Sequence, residues 1–242
     1  LNRADSRLRM EETALSSAQS MLQRIRELAL QGSNGGLSDA DRTIIAKEVS
    51  SLRDALFSLA NTEDESGNFI FSGTAVGTPA FSKDANGVIA YEGDQNQTSV
   101  DISEYRQVSI NRPGDSVFSS VSRSNDAGDQ ESIGFFKVIN DFTDSLESGG
   151  ENALSLGLAE ISNLTDDMAL SLSDIGSRLN TVDSQRDILM DSKLRYQELL
   201  SNAEDLDYAT AVTKLSAQML SLEAAQASFA KISQLNLFNY LR

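Results

Sequence analysis

The chain has 242 residues and a formal net charge of −16, so phosphate backbones and anionic lipid surfaces repel it on average. It contains no histidine and no cysteine, which excludes Ser-His-Asp and Cys-His catalysis, zinc-thiolate sites and disulfide bonds. We therefore expect no enzymatic activity, no cofactor, no nucleic-acid partner and no membrane partner.

Residues 1–62 have the apolar spacing of two helices. In the first, apolar residues recur every seven positions with others between them: Leu8, Leu15, Leu22, Ala29, Ala18 and Ile25. Glycines within residues 32–36 interrupt this pattern and predict a reversal of the chain. Ser38 and Asp41 then predict a capped second helix, with core positions at Ile45, Val49, Leu52, Leu56 and Leu59. The segment is expected to form a helical hairpin.

Residues 63–130 have a different composition, rich in glycine, asparagine, serine and threonine, and their apolar residues alternate with polar ones. This pattern predicts a small β-rich insert. We expect a short strand over residues 68–73, a tight hairpin at Asn86-Gly87 and a second strand pair between residues 100 and 110.

Two acidic groups, one in the insert and one at its end, can be compared with calcium loops. They are Asp84 with Asn86, and Asp126 and Asp129 with Glu131. Both lack the twelve-residue ligand spacing and its terminal glutamate, so solvated acidic loops are the better interpretation.

Residues 131–204 return to helical spacing. A short amphipathic helix is predicted from Phe135, Val138, Ile139, Phe142 and Leu146, ending at Gly149-Gly150. A much longer helix follows, in which Gly157 and Gly176 should weaken the backbone locally. Its apolar stripe contains Leu154, Ile161, Met168, Ile175, Val182, Leu189 and Tyr196, with Leu158, Leu172, Leu179 and Leu200 interleaved. We expect the stripe to pack within the chain's own bundle.

Residues 205–242 predict a final helix, capped by Asp205 or Asp207, whose apolar face is costly to leave in water. No equally apolar amino-terminal helix is present to cover this face, so we expect another chain to bury it. The predicted assembly interface is Leu215, Met219, Leu222, Phe229, Ile232, Leu235, Leu237, Phe238 and Leu241.

Taken together, these patterns predict an α+β protein that is predominantly α. The two ends of the chain should form an elongated antiparallel helical bundle with coiled-coil-like packing, and the small β insert should lie in the middle of the sequence. The expected domains are residues 1–62, the β insert 63–130, the return helices 131–204 and the assembly helix 205–242.

Two segments resemble a known family. Leu59-Ala60-Asn61 through Gly67-Asn68-Phe69-Ile70-Phe71-Ser72-Gly73, and the ending Leu222-Glu223-Ala224-Ala225-Gln226 to Leu237-Phe238-Asn239-Tyr240-Leu241, are similar to the hook-associated protein 3 family. These are flagellin-like proteins of the flagellar hook-filament junction. The first segment is the specific one, since flagellin shares the second more loosely. Family members begin with an apolar helix that pairs with the carboxyl-terminal one. Because this sequence opens at Leu1-Asn2-Arg3, we expect that helix to be missing from it.

The resemblance implies a structural role outside the cell, in the bacterial flagellum. It implies a ring of copies at the end of the hook, with hook-associated protein 1 on the hook side and flagellin on the filament side. It also implies export by the flagellar type III apparatus without a cleaved signal peptide, in keeping with the polar start of the chain. An export chaperone is expected to bind the carboxyl terminus beforehand.

Two other functions fit the sequence. The chain could be a flagellin, the filament subunit, because flagellins share the helical termini. Alternatively it could be a secreted coiled-coil adhesin or effector, whose β insert would carry a receptor site.

Overall fold

The computed structural model describes residues 1–124, 129–204 and 208–234. Six helices and six strands follow one another in these ranges: α1 (Asn2–Gly32), α2 (Asp39–Ala60), β1 (Phe81–Lys83), β2 (Ile89–Tyr91), β3 (Ser99–Ser103), β4 (Arg106–Ser109), α3 (Gly114–Val117), β5 (Val121–Ser124), β6 (Gln130–Ile133), α4 (Phe135–Ser148), α5 (Glu151–Glu204) and α6 (Tyr208–Gln234). The chain divides into two compact units, Leu1–Ile188 and Leu189–Arg242. No described helix combines the length and the hydrophobicity that a bilayer crossing requires. The predicted fold class, a helical bundle with a small β insert, is confirmed.

Helices α1 and α2 form the predicted hairpin. All six apolar residues predicted for the first stripe are buried in α1. The reversal is followed by a complete capping box, in which the Ser38 hydroxyl accepts the Asp41 N–H and the Asp41 carboxylate accepts the Ser38 N–H. Arg24 of α1 pairs with Glu48 of α2 at 2.8 Å across the hairpin. The glycines after α1, the Ser38 cap and the seven-residue spacing therefore predicted where α1 ends and where α2 begins.

Helix α5 packs antiparallel to α1 within the first unit. Arg9 lies 3.5 Å from Asp183, and Asp5 lies 3.3 Å from Arg186. The earlier residue of α1 thus pairs with the later residue of α5, so the two helices run in opposite directions. The apolar stripe of α5 lies in the core as far as Val182, with Leu158 and Leu172 half-buried and its other members buried. The seam from residue 154 to residue 182 thus belongs to the core of the bundle, as expected.

The same stripe is exposed beyond Val182, and there the expected burial within the bundle is wrong. Leu189, Tyr196 and Leu200 are all about half exposed or more. The heptad spacing continues through these residues, yet no described side chain covers them. Spacing predicts which face of a helix is apolar, whereas burial also needs a neighbour to cover that face.

Helix α4 packs on α2 and also contacts α5. Its Phe136 ring meets Phe57 of α2 edge to face, with centroids 6.2 Å apart. It ends at Gly149, as predicted, and this glycine has the left-handed conformation with φ of 73°. Gly157 of α5 faces Phe142 of α4, and a Cβ on that glycine would lie 2.6 Å from the Phe142 ring. The glycine therefore permits a close approach of the two helices, and α5 continues through it without interruption.

The insert consists of three separate antiparallel hairpins, β1–β2, β3–β4 and β5–β6. The Asn86-Gly87 turn joins the first pair, and Gly87 has the expected positive φ of 83°. The second pair is also confirmed, with Val100 opposite Val108. The third hairpin was not predicted from the sequence. Its last strand ends at Ile133, three residues beyond the predicted end of the insert at residue 130.

The predicted strand over residues 68–73 is wrong. Only Phe69 forms a bridge, to Glu63, and the following residues turn back while Ile70 and Phe71 stay buried. The Asp64 carboxylate accepts the N–H groups of Ser66 and Asn68, which closes a local turn. The segment is also bounded by two glycines with positive φ, at positions 67 and 73. An apolar run of this length is equally consistent with a buried loop.

Asn61 fastens this loop region to the first hairpin. Its side-chain amide donates to the Phe81 carbonyl and accepts the Phe81 N–H, both at 2.9 Å. Phe81 in turn lies in a cluster of aromatic rings that joins the insert to α4, with centroids 5.3 Å from Phe136 and 5.5 Å from Phe118. The insert is thereby packed on the helices through one aromatic core.

Candidate assembly surface

The predicted interface residues of α6 that the structure describes are all exposed. Leu215, Met219, Leu222, Phe229 and Ile232 are between 58% and 75% accessible. The other four predicted residues, Leu235, Leu237, Phe238 and Leu241, lie outside the described residues, as do the predicted caps Asp205 and Asp207. Whether these side chains meet another chain stays a prediction.

Seven of the eight large exposed apolar side chains in the described part of α6 follow one helical stripe, and the eighth, Leu220, lies on the opposite face. Tyr208, Leu215, Leu222 and Phe229 are seven residues apart, and Met219 lies four residues after Leu215 on the same face. Tyr208 is exposed like the rest and extends the stripe to the start of the helix. Coiled-coil partners recognise this arrangement, because side chains at these spacings interlock with those of a second helix. We call residues Tyr208, Val212, Leu215, Met219, Leu222, Phe229 and Ile232 the α6 stripe.

The composition of α6 also suits burial against another helix. Its charged residues are Lys214, Glu223 and Lys231, so two lysines against one glutamate leave a charge of +1 in a chain of −16. Alanine is frequent in the remaining positions. Few charges need to be desolvated when such a helix is covered, and each large apolar side chain gains about 1.5–3 kcal/mol on full burial.

The distal half of α5 adds exposed apolar residues that the sequence prediction did not assign to the interface. They are Ile188, Leu189, Met190, Leu194, Tyr196, Leu199 and Leu200. A signal was present in the sequence, because only Leu189, Tyr196 and Leu200 continue the heptad seam and the other four residues lie outside it. Apolar residues on more than one side of a helix indicate contact with more than one neighbour.

The described residues offer no comparable set of reactive groups. No three His, Cys, Asp or Glu side chains among them are placed to share a metal ion. The Asp84 carboxylate is engaged in its own turn, where it accepts the N–H groups of Asn86 and Val88 at 2.8 Å. Asp126 of the second acidic group lies outside the described residues.

A cleft of about 420 Å³ lies beside the start of α1, and ionic groups from both of its sides already pair within it. Arg7 binds Asp64 at 2.9 Å. Hydrogen bonds from Asn68, aided by the charge of Arg7, lower the pKa of Asp64 below its ordinary value. Asp64 therefore stays ionised at neutral pH and is not poised for acid-base chemistry.

Comparison with known proteins links the chain to flagellar proteins. Residues 1–76 match the family model of the bacterial flagellin N-terminal helical region. Flagellar hook-associated protein 3 of Escherichia coli (strain K12) is 26% identical over 248 residues, covering 97% of this chain and 77% of that protein. Flagellin C of Vibrio anguillarum is 43% identical over 63 residues, covering 26% of this chain and 17% of that protein.

Solved structures show the same fold. The flagellar hook-associated protein 3 of Legionella pneumophila has a TM-score of 0.74 at 21% identity, covering 84% of this chain and 94% of that one. The flagellar junction protein FlgL of Legionella pneumophila has a TM-score of 0.67 at 22% identity, covering 76% and 94%. The resemblance expected from the residues 59–73 and the chain ending is confirmed.

Proposed function

We propose that this chain, which resembles flagellar hook-associated protein 3 over nearly its whole length, is a structural component of the bacterial flagellum that joins hook to filament. The observation that carries the proposal is the extent of the match. A relative of that name aligns with 97% of the chain, whereas a flagellin aligns with about a quarter of it. The helical bundle with its small insert is consistent with this proposal, because long packed helices suit a mechanical role and such a role needs no catalytic side chain.

Assembly in this proposal is driven by the α6 stripe. Before assembly the stripe faces water, and in the flagellum neighbouring copies cover it, so burial of its apolar area supplies the free energy of association. The neighbours are other copies in a ring, hook-associated protein 1 on the hook side and flagellin on the filament side. An export chaperone would cover the same stripe before the type III apparatus delivers the chain to the cell exterior.

Deletion of the gene tests the proposed role. Electron microscopy of the deletion strain should find bare hooks, with monomeric flagellin in the medium, and a plasmid copy should restore the filaments. Normal filaments in the deletion strain would contradict the proposal.

Substitution within the α6 stripe tests the proposed interface separately. The double variant Phe229→Ser, Ile232→Ser should stay out of the flagellum and fail to restore filaments, because it removes two of the most exposed apolar side chains of the stripe. Leu220→Ser with Ala227→Ser is the matched control, since both residues are exposed and lie seven apart on the opposite face of the same helix. Circular dichroism should show native helix content for both. Equal assembly by the two double variants would refute the interface and leave the flagellar role standing.

The flagellin alternative rests on the 43% identity to flagellin C over 63 residues. Purified hooks distinguish the two functions in vitro. A junction protein should add a short collar to the hook and stop, whereas a flagellin should extend it into a long filament.

A further inference from the structure

Glu11 is a carboxylic acid buried in the core of the helical bundle. It lies in the apolar stripe of α1 between Leu8 and Leu15, and it is only 1% accessible. Its Oε1 atom is buried and accepts no hydrogen bond. A buried acid without a partner is unfavourable when ionised, so an explanation for its presence should lie in its surroundings.

Charged groups from three elements surround Glu11. Arg7 lies one turn earlier on α1, Arg112 follows β4 in the insert, and Arg178 and Asp174 lie on α5. With Asp64, the partner of Arg7, these groups carry three positive and two negative charges. The cluster therefore has a net charge of +1 when Glu11 is neutral and of zero when Glu11 is ionised.

Arg112 and Arg178 form one of the polar contacts that join the insert to α5, beside the Arg123–Glu160 pair further along the helix. Arg112 donates to the Ser171 carbonyl at 3.3 Å and lies 3.5 Å from Asp174. Arg178 pairs with Asp174 at 2.8 Å and donates to the Ser109 carbonyl at 3.3 Å. We call Arg112, Arg178 and Asp174 the arginine clamp. Three of its four contacts are long, so a new negative charge nearby competes with them readily.

We propose that protonation of Glu11 controls the arginine clamp, and hence how firmly the segment 109–112 of the insert is held on α5. With Glu11 neutral, both arginines share Asp174 and the clamp is closed. When Glu11 loses its proton, its carboxylate attracts Arg112 or Arg178 away from these partners, and the segment between β4 and α3 loosens.

The titration range of Glu11 supports this device. Burial raises its pKa from 4.5 to about 7, against the opposing effect of the nearby arginines. In an opened clamp that water reaches, the carboxyl returns to its ordinary pKa. Opening is then promoted as pH rises from 4.5 to 7, by up to about tenfold per pH unit, and it levels off above pH 7.

Amide hydrogen exchange of the full chain tests the proposal. Protection of residues 109–112, corrected for the intrinsic exchange rate, should fall as pH rises towards 7 and then become constant. Glu11→Gln cannot titrate and should abolish this dependence. Glu12→Gln, on the adjacent and more accessible residue, should preserve it. Constant protection of the wild type between pH 5 and pH 8 would overturn the proposal, as would an unchanged dependence in Glu11→Gln.

Carbon-13 NMR provides a second test that needs no core substitution. The side-chain carboxyl carbon of Glu11, assigned through its bonded neighbours in the wild-type chain, should titrate with a midpoint near pH 7. A midpoint near 4.5 would show that the buried acid is already ionised at neutral pH and would also overturn the proposal.

Discussion

Gly157 and Gly176 allow a direct comparison of helix propensity with packing, because both lie within α5. Replacement of an interior helical glycine by alanine stabilises an isolated helix by about 1 kcal/mol. At Gly176 nothing lies within 4 Å of the added Cβ, so Gly176→Ala should stabilise the protein by about that amount. At Gly157 the added carbon would lie 2.6 Å from Cδ2 of Phe142 and 3.2 Å from its Cβ.

Phe142 cannot easily move away, since it is 1% accessible and packed in the core. Overpacking of a core costs about 1–3 kcal/mol, which outweighs the gain in propensity. Gly157→Ala should therefore be neutral to about 2 kcal/mol destabilising, some 1–3 kcal/mol below Gly176→Ala. Urea denaturation followed by circular dichroism measures both variants against the wild type. Equal stabilisation by the two substitutions would refute the close approach of α4 and α5.

Three further predictions concern single side chains of the first unit. Asn61→Ala should lower the free energy of unfolding, measured by urea denaturation, by about 2–4 kcal/mol, because both backbone groups of Phe81 lose their partner. A loss below about 0.5 kcal/mol would contradict this prediction. Glu160→Ala should cost about 1–2 kcal/mol by the same assay, since it removes one 2.6 Å carboxylate partner of Arg123 and leaves Asp141 as the other. An unchanged midpoint would show that Glu160 contributes nothing to stability. The free energy of unfolding of the wild type relative to Glu11→Gln should fall by about 3 kcal/mol between pH 4.5 and pH 8. The raised pKa of Glu11 stabilises the folded state only while the acid is protonated. Thermal melts of both proteins across this pH range show whether the difference falls as pH rises.

The helical part of the fold could be predicted from the sequence because its signals are local. Seven-residue spacing, the Ser38 capping box and the glycine at position 149 each act over a few residues, and each predicted a feature that is present. The Asn86-Gly87 hairpin was predictable for the same reason, since its turn needs one residue with positive φ and Gly87 supplies it.

The errors arose where the outcome depends on distant partners. The run from Phe69 to Ser72 has strand-like composition, but it forms a loop because Asp64 and the aromatic core hold it. The stripe of α5 has one unbroken period, yet its burial ends after Val182 because covering neighbours end there. Glu11 lies more than 150 positions from Asp174 and Arg178 of the arginine clamp, so no local sequence pattern predicts that they meet.

The division of the insert into three independent hairpins has a practical consequence. No ladder of hydrogen bonds runs from one hairpin to the next in the described residues, so each sets its own strand register. A few extra residues at the exposed Asn86-Gly87 tip should lengthen one hairpin and leave the registers of the other two intact. That tip is therefore a rational place to graft an epitope tag and locate the molecule on living cells.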